Sequence, residues 1–104
     1  MAYEIPVYRF RKEVSHEAAK RMMESLNDFL RTAPGFKERR TYHDAGRDVW
    51  IDVVEWNSME EALRGMEDFA KAPVFAEFLA MVDPELNLMH HSQLIQTFTG
   101  APTA

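Results

Sequence analysis

The sequence predicts an α+β domain with the element order β-α-β-β-α-β and a four-stranded antiparallel sheet that carries both helices on one face. Three observations predict it. Two segments place apolar residues at three- and four-residue spacing, as amphipathic helices do. Each is flanked by short segments of alternating or β-rich composition. And 104 residues suffice for one core but not for two. Residues 1–104 therefore read as a single domain, with 99–104 as a flexible tail.

Tyr3 to Phe10 reads as the first strand. Tyr3, Ile5 and Val7 alternate with Glu4, Pro6 and Tyr8, and both sets carry bulk, so both faces are expected to be covered. Pro6 removes a ladder donor and predicts a bulge or a locally unpaired edge. Ser15 is placed to cap a helix that begins near His16. Its stripe is Ala18, Ala19, Met22, Met23, Leu26, Phe29, Leu30 and Ala33, and Pro34-Gly35 ends it.

Phe36 to Asp44 is a polar strand whose two sides are Phe36, Glu38, Arg40, Tyr42 and Lys37, Arg39, Thr41, His43. Such a strand belongs at a sheet edge. Asp44 to Asp48 reads as a hairpin loop with a glycine available for positive φ. Val49 to Trp56 is the most apolar strand and is placed centrally. Asn57-Ser58 caps the second helix, and Glu60 and Glu61 in its first turn suit the helix dipole. Its stripe is Met59, Ala62, Leu63, Met66, Phe69 and Ala70. Pro73 breaks it, Val74 to Val82 adds a short helical segment, and Leu86 to Phe98 reads as the last strand.

This order is the ferredoxin-like plan. Helices on one face leave the other face of the sheet bare. Because the first and third strands are bulky on both sides, the bare face needs a partner. The simplest partner is the same face of a second copy, so a homodimer through the open sheet face is expected.

Composition excludes several function classes. The net charge is -5, and the basic residues form no stripe, so nucleic acid is not an expected partner. The absence of cysteine removes disulfides, thiolate chemistry and cysteine-ligated metal. No apolar run approaches the roughly 20 residues of a membrane span, and no signal-like start precedes the first strand. A cytoplasmic protein with no membrane partner is the expectation. No phosphate loop, dinucleotide fingerprint or nucleophile motif is present.

Three pieces carry a family resemblance: Pro34-Gly35-Phe36, then Val53-Val54-Glu55-Trp56 running into Ser58-Met59-Glu60-Glu61-Ala62-Leu63, then Pro73-Val74-Phe75 with Glu77-Phe78. In order and spacing they resemble the antibiotic-biosynthesis-monooxygenase-like proteins, over residues 3 to 98. The resemblance implies a dimeric α/β barrel with a pocket between sheet and helices in each subunit. It also implies a group that contains cofactor-independent oxygenases, quinol oxygenases, haem-degrading enzymes and proteins of unassigned function. The haem-degrading branch needs an asparagine, a tryptophan and a histidine where this chain has Tyr8, Phe69 and Leu79, so haem degradation is not expected and no cofactor is assigned.

Asp52 is the first candidate for chemistry. A carboxylate within an apolar strand is costly unless paired, and desolvation would suit it to act as a general base. The competing reading is an ion pair with an arginine such as Arg40. His90 and His91 are the other catalytic candidates. Adjacent strand residues face opposite sides, so the two cannot hold one metal, and one of them enters a pocket as a proton carrier or serves as an interface histidine. No metal site is assigned. Tyr8, Trp50, Trp56 and Tyr42, with Arg40, are the candidate lining of a pocket for a flat aromatic molecule. Ordinary core packing is the alternative. The expected function is a cofactor-independent monooxygenase on a small phenol or quinol. The alternative is a non-catalytic, ligand-binding or stress-associated dimeric barrel.

Overall fold

The computed structural model describes residues 1–102. Thr103 and Ala104, the end of the expected flexible tail, lie outside the described residues. The elements run β1 (Ala2–Phe10), α1 (His16–Arg31), β2 (Phe36–Asp44), β3 (Val49–Trp56), α2 (Met59–Lys71), α3 (Pro73–Met81) and β4 (Val82–Ser92). They form one antiparallel sheet in the order β2-β3-β1-β4, the ferredoxin-like arrangement.

Local chemistry sets the helix boundaries. The Ser15 hydroxyl accepts from the Ala18 amide at the start of α1, and the Ser58 hydroxyl accepts from the Glu61 amide at the start of α2. Ser58 also donates to the Glu61 carboxylate at 3.0 Å, so cap and third residue brace each other. Gly35 takes φ +83, and a side chain there would run into the same Glu61 carboxylate. Only glycine meets both conditions. Pro73 occupies the first turn of α3, where its missing N–H is of no consequence.

Alternation assigns the faces. On β1, Ala2, Glu4, Tyr8 and Phe10 are buried beneath the helices, and on β3 so are Asp52, Val54 and Trp56. The other face carries Tyr3, Ile5, Val7, Ile51 and Val53 at intermediate exposure and Leu88 at 52%. The ladder from β1 to β3 is interrupted at Ile5 and Pro6, with the same register on either side of the gap. Pro6 thus perturbs the sheet from an interior strand, while its pairing with Met89 on β4 persists.

Two expectations are corrected. The last strand spans Val82–Ser92, not Leu86 to Phe98. It starts early because Val82 follows α3 directly and pairs with Phe10, and an edge strand tolerates Pro84. It ends early because Ser92 already pairs with Tyr3, and β1 offers almost no chain beyond that point. Residues 93–102 have no regular structure, and Leu94, Ile95 and Phe98 are 62%, 89% and 92% exposed.

The second correction concerns β2. The pairing skips from Phe36↔Trp56 to Glu38↔Glu55, a bulge that inserts Lys37. Phe36 therefore shares the helix-side face with Arg39, Thr41 and His43, and strict alternation fails at its first step. Arg40 and Tyr42 fall on the open face instead.

Two core clusters sit between sheet and helices. One gathers Tyr8, Phe10, Met22, Leu26, Phe78 and Val82, and the other gathers Ala2, Leu30, Val54, Trp56 and Ala62. Trp56 is fully buried because Gly65 on α2 leaves room for its six-membered ring. Among the described residues, no helix is long and apolar enough to cross a membrane.

Candidate functional site

Between the two clusters lies a pocket of about 70 Å³. Its floor comes from β1 and β3, through Glu4, Pro6, Tyr8, Asp52, Val54 and Trp56. Its roof comes from α1, α2 and α3, including Leu26, Phe29, Met66, Phe69 and Phe78. Arg39 and Met89 close the sides. An apolar enclosure with few convergent polar groups is the usual character of a small-molecule site.

The polar groups divide into two sets. Asp52 is the hub of the first. Its Oδ2 accepts from Arg39 Nη2 at 2.8 Å and from the Tyr8 hydroxyl at 3.0 Å, and its Oδ1 accepts from the Thr41 hydroxyl at 2.8 Å. The Arg39 guanidinium is anchored in turn to α1, donating to Asn27 Oδ1 at 2.8 Å and to the Met23 carbonyl at 3.1 Å. Asp52 is 3% exposed, and three donors with one cationic partner make that burial tolerable. Burial and the Asp52 charge both push the Tyr8 hydroxyl far above its ordinary range, so it remains a neutral donor.

Glu4 and His91 form the second set. Glu4 is 8% exposed and lines the pocket, and its Oε2 lies 3.0 Å from His91 Nε2. Burial raises the Glu4 pKa above the ordinary carboxylate value. The hydrogen bond and charge of His91 oppose the rise, and the charge of Asp52 adds to it. Trp56 also lines the pocket, and its indole N–H is buried without an acceptor, alone among the described side chains.

The structure therefore separates the sequence-predicted residues. Tyr8, Asp52 and Trp56 meet in one pocket. His91 stands directly behind it, on the helix side of β4, while His90 is exposed on the other side with Nδ1 3.0 Å from the Ile5 carbonyl oxygen. Trp50 lies outside the pocket, packed edge-on against Phe10 and stacked on His43 at 4.2 Å. Tyr42 is 51% exposed, and Arg40 is exposed in a 3.5 Å pair with Glu38, because the Lys37 bulge turns both outward. The arginine that neutralises Asp52 is Arg39. Sequence reasoning missed Glu4, although the signal was present: it is the other carboxylate on the helix-side face of an interior strand. Phe69 lines the pocket and Leu79 is 41% exposed, so neither position offers an axial nitrogen. Among the described residues, no cluster of three or more histidine or carboxylate side chains could hold a metal ion.

No family model matches the sequence, and no curated protein matches it. Solved structures do match its fold. At3g17210 from Arabidopsis thaliana superposes with a TM-score of 0.75 at 14% identity, covering 95% of this chain and all (100%) of that one. A variant of SnoaB, a cofactor-independent oxygenase from Streptomyces nogalater, gives a TM-score of 0.74 at 12% identity, covering 95% of this chain and 97% of that one. The hydroxynitrile lyase of Passiflora edulis gives 0.69 at 16% identity, covering 94% and 96%. Across nearly its whole length, the chain thus shares the ferredoxin-like fold of these proteins, as the resemblance read from the sequence implies.

Proposed function

We propose that the protein is a cofactor-independent monooxygenase acting on a small phenol or quinol, held between sheet and helices. The observation that carries this reading is the pocket itself, an apolar enclosure in which buried acid–base groups converge. Fold likeness to SnoaB agrees with it. The likeness to a hydroxynitrile lyase shows that the fold alone does not select the reaction.

In the proposed reaction, the pair at Glu4 and His91 accepts the substrate's hydroxyl proton. The electron-rich anion then reduces dioxygen stepwise and forms a carbon–oxygen bond. The resulting peroxide takes up a proton. Loss, as a proton, of the hydrogen on the same carbon then breaks the O–O bond and expels hydroxide, which leaves as water with that proton. The carbon thus becomes a carbonyl, one oxygen atom enters the quinone product, the other leaves as water, and the substrate supplies all four electrons. The one Tyr8 hydroxyl proton is committed to Asp52 Oδ2, so Tyr8 lends the site its ring, as part of the pocket wall. Asp52 is a positioning residue here, since three donors already occupy its carboxylate.

Volume narrows the substrate. A cavity of about 150 Å³ is known to hold benzene, so a pocket of about 70 Å³ takes a single ring when its lining gives way, and the lining includes two adaptable side chains, Met66 and Met89. That volume favours a substrate of one ring over one of several. The same narrowness favours a second reading, a non-catalytic barrel that binds a smaller ligand. In either case we infer a homodimer through the open sheet face. Oxygen uptake over a panel of single-ring phenols and quinols separates the two: saturable consumption supports the oxygenase, and flat traces with retained ligand binding support the binding protein.

A further inference from the structure

The pocket wall holds four groups that ionise or carry charge: Glu4, Tyr8, Arg39 and Asp52. Three of them satisfy one another, because Tyr8 and Arg39 both donate to Asp52. Glu4 stands apart. Its one hydrogen-bond partner among the described side chains is His91, which reaches a single oxygen, Oε2, from the strand behind. Carboxylates this deeply buried are rare unless they are fully paired. A free carboxylate oxygen in an apolar pocket complements a ligand with a hydroxyl to donate.

We propose that Glu4 is the pocket's proton acceptor, that His91 is its positioning residue, and that the ligand is a single-ring molecule carrying a hydroxyl. The proposal rests on the reading of this pocket as a site for small hydroxylated aromatics, and it names the group that performs the first step. In that step the ligand O–H bond breaks, a bond forms between the proton and a Glu4 oxygen, and the electron pair stays on the ligand oxygen. His91 holds the second carboxylate oxygen and so fixes the direction of the first.

The groups facing Glu4 come from every neighbouring element. His91 approaches from β4 and Asp52 from β3, the latter neutralised by Arg39 of β2. The helix residues opposite, Leu26, Phe29, Leu30, Met66 and Phe69, are apolar. Proton uptake by Glu4 therefore removes a charge from a low-dielectric site, and the raised pKa brings acceptance and return of the proton nearer to balance.

Carboxyl-carbon NMR of Glu4 across a pH series, with and without phenol as the probe, tests this in the wild-type protein, His91→Gln and Glu77→Gln, and phenol affinity across the same series is measured in these and in Glu4→Gln. Phenol is expected to bind saturably and to lower the apparent Glu4 pKa, because its hydroxyl donates to the charged carboxylate. Glu4→Gln abolishes the pH dependence of phenol affinity, and Glu77→Gln, an exposed carboxylate outside the pocket, retains it. His91→Gln raises the Glu4 pKa while phenol still binds. A Glu4 resonance that ignores saturating phenol, an unchanged pH dependence in Glu4→Gln, or absence of phenol binding overturns the proposal. Glu4 linkage without oxygen uptake defeats only the oxygenase reading. Uptake without Glu4 linkage defeats only the role of Glu4. Where uptake is present, Glu4→Gln lowers kcat by about 10²–10⁴-fold.

Discussion

Arg39 Nη2 donates to Asp52 Oδ2 at 2.8 Å, with both side chains nearly excluded from solvent at 6% and 5% exposure. One guanidinium thereby links β2, β3 and α1, since its other nitrogen reaches Asn27 and the Met23 carbonyl. Removing one member of such a pair strands a buried charge. Asp52→Ala or Arg39→Met is expected to destabilise the fold by about 3–5 kcal/mol in urea denaturation. Arg39→Met combined with Asp52→Leu is expected to recover most of that loss. A single-variant cost under about 1 kcal/mol, typical of a solvated pair, would contradict the geometry.

Gly65 tests the packing of Trp56. An added methyl would overlap the indole, which has nowhere to go because its side chain is fully buried. Helix propensity favours alanine over glycine by about 1 kcal/mol, whereas overpacking costs about 1–3 kcal/mol. Gly65→Ala is therefore expected to be net destabilising on thermal denaturation and to weaken phenol binding by displacing Trp56. Stabilisation by Gly65→Ala would show that the ring can move aside.

Glu4 makes stability depend on pH in a defined direction. Its folded-state pKa lies above the unfolded value, so the folded protein binds the extra proton. The stability this contributes is fully present below the unfolded pKa near 4.5 and is lost as pH rises through the raised folded value. The stability of the wild type relative to Glu4→Gln is expected to fall over that window and to level off above it. Urea midpoints at a series of pH values check the slope, and a difference that grows with pH would reverse the sign and refute the assignment.

Most of the fold was legible in the sequence because its signals are periodic and local. The helix stripes, Ser15, Ser58, Pro73 and Pro34-Gly35 each fix a boundary through chemistry within one turn. What escaped depends on contacts between strands. Nothing in Lys37 announces a bulge, yet that single insertion turns Arg40 and Tyr42 outward and brings Arg39 to Asp52. The end of β4 depends on where β1 runs out, which the residues from Gln93 onward do not encode. Asp52 was visible as a charge in an apolar strand. Glu4 carried the same signal more weakly, masked by Pro6 and by bulk on both sides of its strand.

The open face supports a separate prediction. Tyr3, Ile5, Val7, Ile51 and Val53 lie at intermediate exposure on one side of the sheet, with Leu88 beside them. An isologous dimer would bury this surface twice over. Light scattering at micromolar concentration is expected to give twice the chain mass, and Val53→Lys is expected to halve it while the far-ultraviolet circular dichroism stays unchanged. A monomeric wild type would remove the homodimer from consideration.

The most direct measurement of the proposed chemistry is isotopic. The purified protein, with no added metal or cofactor, is incubated with single-ring phenols and quinols under isotopically labelled dioxygen, and the products are read by mass spectrometry. The proposed mechanism predicts one labelled oxygen atom in the organic product and the other in water, with incorporation lost in Glu4→Gln. Products that carry no label across the panel, from a protein that still binds phenol, would contradict it.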